Sequence, residues 1–411
     1  MPFTRSARKM RGAVLAFAAS LLLLSPIVST APTAYAAKLQ PEPSVSTPQS
    51  PALAREAKAA VLMDAATGTV LFAKNEHAHL PIASVTKIAT MLLAFEALDR
   101  HQVTLQDPVR TSDFAASMGG SQIFLEPGEK MSLAEMLKGI AVGSANDAAV
   151  AVAEHIAGSE AQFVALMNKR AAELHLKDTH FSNVNGLPIA NHYSSAYDLA
   201  VLSRELLRHD QVTTYTGLYS DHLRKTSTKP FWLVNTNKLI RFYPGMDGLK
   251  TGFTAEAKYC LAASAKRGNL RMIAVVLGEP TSKVRNAEVT EMMNYAFSHY
   301  EAKVVYAKGQ IITQAPVSRG QTPTVPVATT RTAYLLASRV DHRVIGQAVT
   351  EIRPLAAPVR KGERAGVVKI VANGAVVAEY PVYTTSAVDR ISLLEMLGRA
   401  MRKTLLLGAG R

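Results

Sequence analysis

Three short polar motifs, each set in apolar sequence, constrain this chain more than any other feature. Ser84-Val85-Thr86-Lys87 stands in PIASVTKIATMLLAFEAL, Ser144-Ala145-Asn146 in GIAVGSANDAAVAV, and Lys250-Thr251-Gly252 in MDGLKTGFTAEAKYCL. Any one of them is weak, because S-x-x-K arises by chance in most long chains. The ordered set is specific, and it requires a fold that gathers three distant segments at one boundary.

The residue types suit acyl transfer. On a helix, residues three apart share a face, so the Lys87 amine can reach the Ser84 hydroxyl. A serine hydroxyl is a poor nucleophile until a base takes its proton. Lysine titrates near 10.4 and becomes a base at neutral pH only if burial or a second cation lowers its pKa. Lys250 is the candidate second cation. Ser144 brings a hydroxyl that can relay a proton, and Asn146 an amide that can hold a peptide group. Lys250 and Thr251 suit a substrate carboxylate, and Gly252 allows close approach of backbone to substrate. The N–H groups of Ser84 and Phe253 are candidate oxyanion donors. Each motif also has a bland reading. Ser-Ala-Asn suits a helix cap, and Lys-Thr-Gly suits a turn. The scheme needs no histidine, metal or cofactor, and the 11 histidines, His77 and His79 included, read mostly as surface residues.

The pattern of elements predicts an α+β fold. Ala59 to Asp64 and Thr69 to Ala73 read as strands around Ala65-Ala66-Thr67-Gly68. Ile88 to Leu98 is helical. Leu133 to Ile156 has helical periodicity, interrupted near Gly143-Ser144. Ala161 to Leu174 is a further amphipathic helix. Tyr259 to Ala265 and Leu270 to Leu277 form a second hairpin, and Val289 to Tyr300 a closing helix. Strands, then helices, then strands predict an antiparallel sheet built from both ends of residues 54–302, with a helical insertion. Lys250-Thr251-Gly252 then falls on a sheet edge facing the cleft. Residues 303–385 change character, with short alternating apolar segments and turns such as Val317-Ser318-Arg319-Gly320, Arg360-Lys361-Gly362 and Asn373-Gly374. They read as a small β-sandwich domain without catalytic residues.

The ends carry an address. Arg5, Arg8, Lys9 and Arg11 precede the apolar stretch Ala13 to Val28, and Ala34-Tyr35-Ala36 is a small-x-small cleavage signal. Residues 1–36 read as a secretory signal peptide. The competing reading is an uncleaved anchor, against which Pro26 and Pro32 argue. Residues 37–53, rich in Pro, Ser and Gln, read as a linker. The formal charge is +14, of which the first 36 residues carry four positive charges and no acids, leaving 14 − 4 = 10. Nothing resembles a nucleic-acid module, so anionic lipid or wall polymer suits that charge better, with solubility as the plain alternative. The single cysteine, Cys260, excludes an internal disulfide and reads as a buried apolar residue. In residues 386–411, Val388, Ile391, Leu394, Leu397, Met401 and Leu405 recur every three or four positions beside Arg390, Arg399, Arg402 and Lys403. A basic amphipathic helix of this kind reads as lying on a membrane surface. Packing on the β domain is the alternative.

At these motifs the chain resembles the D-alanyl-D-alanine carboxypeptidases, the low-molecular-mass penicillin-binding proteins of peptidase family S11. Further stretches carry the resemblance: Ser182-Asn183-Val184-Asn185-Gly186-Leu187-Pro188, His192-Tyr193-Ser194-Ser195-Ala196-Tyr197-Asp198 and Asn235-Thr236-Asn237. It runs from about Ala54 to the C-terminus. It implies a penicilloyl-serine-transferase fold and removal of the last D-Ala from peptidoglycan stem peptides. β-Lactams are then covalent inhibitors, and the outer face of the cytoplasmic membrane is the site of action. It implies Ser84 as nucleophile, Lys87 as its base and Ser144 with Asn146 in relay and substrate binding. Lys250 and Thr251 hold the terminal carboxylate, with Arg285 near it. Lys258 departs from the glycine that relatives carry in a stretch like EAGYC, which bears on specificity rather than chemistry. A class A β-lactamase requires an E-x-x-L-N stretch between the second and third motifs, and none occurs from Asn146 to Lys250. A transpeptidase or endopeptidase on the same fold remains a rival. An inactive peptidoglycan-binding sensor fits less well, since Ser84, Lys87, Ser144 and Lys250 are all present.

Overall fold

The computed structural model describes residues 52–226, 230–372 and 374–398. The signal peptide (1–36), nearly all of the linker, Asn373, and Arg399, Met401, Arg402, Lys403 and Leu405 of the tail lie outside the described residues. The first part of the chain runs β1 (Ala59–Asp64), β2 (Val70–Lys74), α1 (Lys87–Asp99), β3 (Pro108–Arg110), α2 (Asp113–Ala116), β4 (Lys130–Ser132), α3 (Leu133–Lys138), α4 (Asn146–Ala157), α5 (Glu160–Glu173) and α6 (Ala196–Leu206). It continues α7 (Val212–Thr216), β5 (Ser220–Leu223), β6 (Phe231–Val234), α8 (Leu239–Phe242), β7 (Met246–Thr254), β8 (Lys258–Arg267), β9 (Leu270–Glu279) and α9 (Ser282–His299).

The main sheet has the order β2-β1-β9-β8-β7, and all its pairs are antiparallel. Its strands come from both ends of this region, as the order of elements predicts. Successive side chains of a strand point to opposite faces. Ala59, Val61 and Met63 of β1 therefore pack with Ile88 and Leu92 of α1 on the helical side. Ala60 and Leu62 pack with Val289, Met292 and Met293 of α9 on the other. Both faces are covered, which is why β1 is apolar throughout rather than alternating. The first turns of α1 are buried on every side and carry no polar stripe, as befits a helix in the middle of a core. Each of its buried Leu or Met side chains contributes ~2 kcal/mol by leaving water.

Two local features shape the cleft. The helical pattern expected from Leu133 to Ile156 is broken where a π turn at Gly139–Gly143 follows α3. Ser144 then adopts a left-handed conformation, φ 63° and ψ 30°, before α4 begins at Asn146. The break turns Ser144 and Asn146 out of the helical register. Asp147 fixes it, accepting from the N–H groups of Ile123 and Leu125 at 3.1 Å each. The second feature is the long connection between α5 and α6. It folds back on itself through a bridge between His180 and Tyr193 and returns toward the turn bearing Ser84 through a bridge between Leu80 and Ser194.

Beyond α9 lie β10 (Tyr300–Tyr306), β11 (Ile311–Ser318), β12 (Thr324–Thr329), β13 (Ala333–Ser338), β14 (Val344–Ile345), β15 (Gln347–Ile352), β16 (Leu355–Ala356), β17 (Arg364–Ala372) and β18 (Ala375–Thr384). They form a sheet β10-β13-β14 and a sheet β15-β17-β18-β12-β11-β16. Leu336 of β13 is buried in the core beneath α9. The Arg204 guanidinium of α6 donates to the carbonyls of Ala65, Ala66 and Val377. The helix expected from residue 386 starts later. Val388 packs into the core of the β region, Ile391 is buried, and its N–H donates to Arg319 O. Helical structure begins at residue 393, where Leu393, Leu394, Met396 and Leu397 are exposed. Spacing alone joined residues that pack on strands to residues that continue as a helix. No helix among the described residues is long and apolar enough to cross a membrane.

Gly186 shows how tightly the α5–α6 connection fits. It has φ +85°, and a Cβ there would stand 1.9 Å from Ala83 O. We expect Gly186→Ala to lower the thermal midpoint by about 5–10 °C, the effect of ~2–3 kcal/mol on a domain of this size. Melting followed by circular dichroism tests this, and a variant melting with the wild type refutes the fit.

Candidate active site

Ser84 lies in a 3-10 turn, Ala83–Thr86, that runs directly into α1. In a 3-10 turn residues i and i+3 eclipse, so Lys87 sits against Ser84. Lys87 is fully buried, and its Nζ donates to Ser84 Oγ at 2.9 Å, Asn146 Oδ1 at 2.6 Å and Asn185 O at 2.7 Å. Burial holds its pKa well below the ordinary lysine value; the charge of Lys250 adds to the lowering, and Asp147 opposes it. An amine without its proton has a lone pair with which to accept the serine hydroxyl proton.

Asn146 is held in turn. Its Nδ2 donates to Gly119 O at 2.6 Å, and its backbone N–H to Ser121 O at 2.7 Å. Ser144, two residues earlier, is buried, but its hydroxyl is not among the three acceptors of Lys87 Nζ.

The third motif lies on β7, the edge strand of the sheet. Lys250 is buried and donates to Thr251 O at 2.8 Å. Burial, helped by the charge of Arg285, brings its pKa down to about 7. Arg285, in the first turn of α9, is buried with its guanidinium on Asn286 Oδ1 at 3.1 and 2.9 Å. Thr251 Oγ1 donates to Thr236 Oγ1 at 2.7 Å, and Asn237 Nδ2 to Gly248 O at 3.1 Å. The stretch Asn235-Thr236-Asn237 thus holds the free edge of β7.

Gly252 meets a different neighbour from the one expected. A Cβ there would lie 2.6 Å from Ile82 O and 3.0 Å from Val85 Cγ2. The missing side chain lets β7 close on the turn carrying Ser84. Phe253, next along, is exposed and stacks on Tyr259 across the hairpin, ring centroids 4.4 Å apart. Lys258 has φ +57°, a left-handed conformation that glycine adopts at no steric cost. That backbone requirement suits the glycine that the family resemblance implies at this position. Cys260 is buried, and burial pushes its thiol up to about 11, as a structural cysteine requires.

Direct hydrogen bonds therefore join Ser84, Lys87 and Asn146, and the field of Lys250 reaches Lys87. Sequence reasoning did not assign roles to Asn185, Asp147 or Thr236, although it singled out two of the stretches that contain them. Asn185 acts through a backbone carbonyl, which has no side-chain signature. His192 is buried, unlike His77 and His79, whose side chains are more than half exposed or close to it at 62% and 50%. Beside the turn lies a cavity of about 260 Å3, lined by Ala83, Gly186, His192, Thr254 and Glu256 among others.

A serine joined to a buried lysine whose charged form burial disfavours, at the edge of an antiparallel sheet, defines a penicillin-binding serine hydrolase. Residues 44–281 match the family of the D-alanyl-D-alanine carboxypeptidases, peptidase S11, and residues 300–390 match the C-terminal domain of penicillin-binding protein 5. The D-alanyl-D-alanine carboxypeptidase DacF of Bacillus subtilis (strain 168) is 49% identical over 350 residues, 85% of this chain and 90% of that protein. The D-alanyl-D-alanine carboxypeptidase DacD of Escherichia coli (strain K12) is 33% identical over 345 residues, 82% of this chain and 88% of the relative. The solved structure of penicillin binding protein 5 from Haemophilus influenzae matches with a TM-score of 0.62 at 30% identity, covering 82% of this chain and 98% of its own. The chain belongs to the D-alanyl-D-alanine carboxypeptidase family, and its fold and serine-type enzyme class are those of that family.

Proposed function

We propose that this enzyme removes the terminal D-Ala of peptidoglycan stem pentapeptides through an acyl-enzyme on Ser84. The observation that carries the reading is the 2.9 Å contact between Ser84 Oγ and a Lys87 Nζ whose proton burial and Lys250 disfavour. Lys87 takes the hydroxyl proton as Oγ bonds to the penultimate carbonyl carbon. The N–H groups of Ser84 and Phe253 receive the oxyanion. Collapse breaks the C–N bond, and Ser144 relays the proton to the departing amine of D-Ala. Water then attacks the ester as Lys87 takes its proton, the Ser84 Oγ–carbonyl bond breaks, Lys87 returns the proton to Oγ, and the shortened peptide leaves. Asn146 binds the peptide group ahead of the scissile bond. Lys250, Thr251 and Arg285 hold the terminal carboxylate. The preceding stem residues extend toward the cavity at Ala83, Thr254 and Glu256. A β-lactam enters the same path and stays on Ser84 as a covalent adduct.

A second reading has an amine rather than water as acceptor. It is favoured by the likeness to a Streptomyces K15 protein described as a DD-transpeptidase, 28% identical with a TM-score of 0.56. The extracytoplasmic address rests on the sequence at residues 1–36. Attachment to the membrane surface rests on the exposed Leu393, Leu394 and Leu397 and the basic residues that follow.

Three experiments test this. Incubation with a stem pentapeptide should release free D-Ala without cross-linked product, and Ser84→Ala should abolish both release and the mass adduct with penicillin. Dominant cross-linking moves the assignment to transpeptidation.

The site should also give a bell-shaped pH profile. Lys87 must be neutral, so kcat/KM falls at acid pH as its lowered pKa is crossed. Lys250 must be protonated, so kcat/KM falls again as pH rises past about 7. A bound carboxylate favours the Lys250 cation, so the alkaline limb of kcat should lie higher than that of kcat/KM. Lys250→Arg should remove the alkaline limb and leave the acid one; an unchanged alkaline limb refutes the assignment.

Finally, removal of residues 393–411 leaves Val388 and Ile391 in place and should move the protein from the membrane to the soluble fraction. Persistent sedimentation with membranes sinks the anchor.

A further inference from the structure

We infer that His192 is a positioning residue for acylation, acting through Thr86 on the Ala83–Ser84 peptide. The inference rests on the reading of Ser84 as nucleophile. Ser182 N–H donates to His192 Nδ1 at 3.0 Å. That ring nitrogen is then an acceptor, so the proton of the neutral ring sits on Nε2. Nε2 lies 2.7 Å from Thr86 Oγ1, and Thr86 Oγ1 donates to Ala83 O at 2.8 Å. The bonds therefore run one way, from Ser182 N–H through His192 and Thr86 to the Ala83 carbonyl.

That carbonyl belongs to the same peptide unit as Ser84 N–H. A hydrogen bond accepted at the C=O end polarises the unit and strengthens the N–H as a donor. It also fixes the plane of the peptide, and so the direction in which Ser84 N–H points. The backbone here needs fixing. Ala83 has φ +47°, a conformation disfavoured for any residue with a Cβ. Gly186 presses on the same carbonyl from below, where no Cβ could fit. The chain also resists titration in the working range. Burial, with the charges of His180 and Lys87, brings the His192 pKa down to about 4. A protonated ring would set two donors, Nδ1–H and Ser182 N–H, against each other.

His192 reaches this turn from 106 residues away in sequence. It touches neither Ser84 nor Lys87 by any hydrogen bond described, so its effect should fall on the chemical step rather than on affinity.

The test compares four single variants, with active sites counted by the burst of fluorescent penicillin. His192→Leu removes both bonds. His192→Asn keeps a group at the Nδ1 position, facing Ser182, but none reaching Thr86. His192→Gln keeps a donor at the Nε2 position. Thr86→Val removes the hydroxyl while keeping its shape. Per titrated site, Leu, Asn and Val should lower kcat and the penicillin acylation rate about 10- to 100-fold, below the 10²–10³ of a lost direct oxyanion donor. KM should change less than about threefold, and Gln should recover most of the rate. The double variant His192→Leu/Thr86→Val should be no slower than the slower single one. Wild-type kcat per titrated site in the Asn or Val variant, or a Gln variant as slow as Leu, overturns the inference. A wild-type enzyme that releases no D-Ala or forms no Ser84 adduct instead overturns the reading on which it rests.

Discussion

Everything at this site depends on one buried amine. A lysine at the centre of a core is expensive to keep charged, so the fold must satisfy its hydrogen bonds and favour its neutral form. It does both. The three hydrogen-bond partners of Lys87 Nζ come from the turn before α1, the first residue of α4 and the α5–α6 connection, and in the neutral form Nζ donates to Asn146 Oδ1 and Asn185 O and accepts from the Ser84 hydroxyl. One nitrogen thus ties together three segments that are remote in sequence. The same burial that requires those bonds also lowers the proton affinity that a base at neutral pH needs lowered. Packing and chemistry share one cause.

The turn bearing Ser84 is enclosed from two sides by positions without side chains. Gly252 of β7 closes on Ile82 O, and Gly186 of the α5–α6 connection closes on Ala83 O. Neither could approach so closely with a Cβ. Ser84 therefore sits where the sheet edge and the helical insertion meet. This accounts for the motif order: the first two motifs flank helices of the insertion, and the third returns on β7, the edge strand, to complete the wall. The stretch Asn235-Thr236-Asn237 covers the edge that β7 would otherwise leave unpaired.

Much of this was legible in the sequence, for identifiable reasons. β1, β8 and β9 stand out because both faces are buried, and α1 because it lies inside the core. Ser84, Lys87 and Asn146 could be paired because their chemistry requires proximity. Less legible were the contacts made by backbone. Asn185 contributes a carbonyl, and Gly252 an absence of atoms toward Val85 rather than toward substrate. The histidines illustrate the limit most clearly. His192 looks like its neighbours in composition, and only the three-dimensional path of the α5–α6 connection buries it against Thr86. The tail shows the converse. A periodicity of three to four ran through Val388 and Ile391, yet these pack on the β region, where Val388 bridges to Val359 and the Ile391 N–H donates to Arg319 O.

The two depressed lysines pull against each other in a way that suits a carboxylate substrate. Burial lowers the pKa of both Lys250 and Lys87, and the charges of Arg285 on Lys250 and of Lys250 on Lys87 add to the lowering. On the function proposed above, an arriving substrate carboxylate would offset this positive charge. Lys250 then holds its proton more firmly, while its repulsion of a proton on Lys87 is partly cancelled. On that reading Lys87 would become a stronger base as the scissile bond arrives, while in the free enzyme burial and Lys250 disfavour its charged form. A ligand lacking the carboxylate leaves this coupling unused. Discrimination for a free C-terminus would then be expressed in the chemical step as well as in binding, because the charge proposed to recognise the carboxylate also contributes to the proton affinity of Lys87.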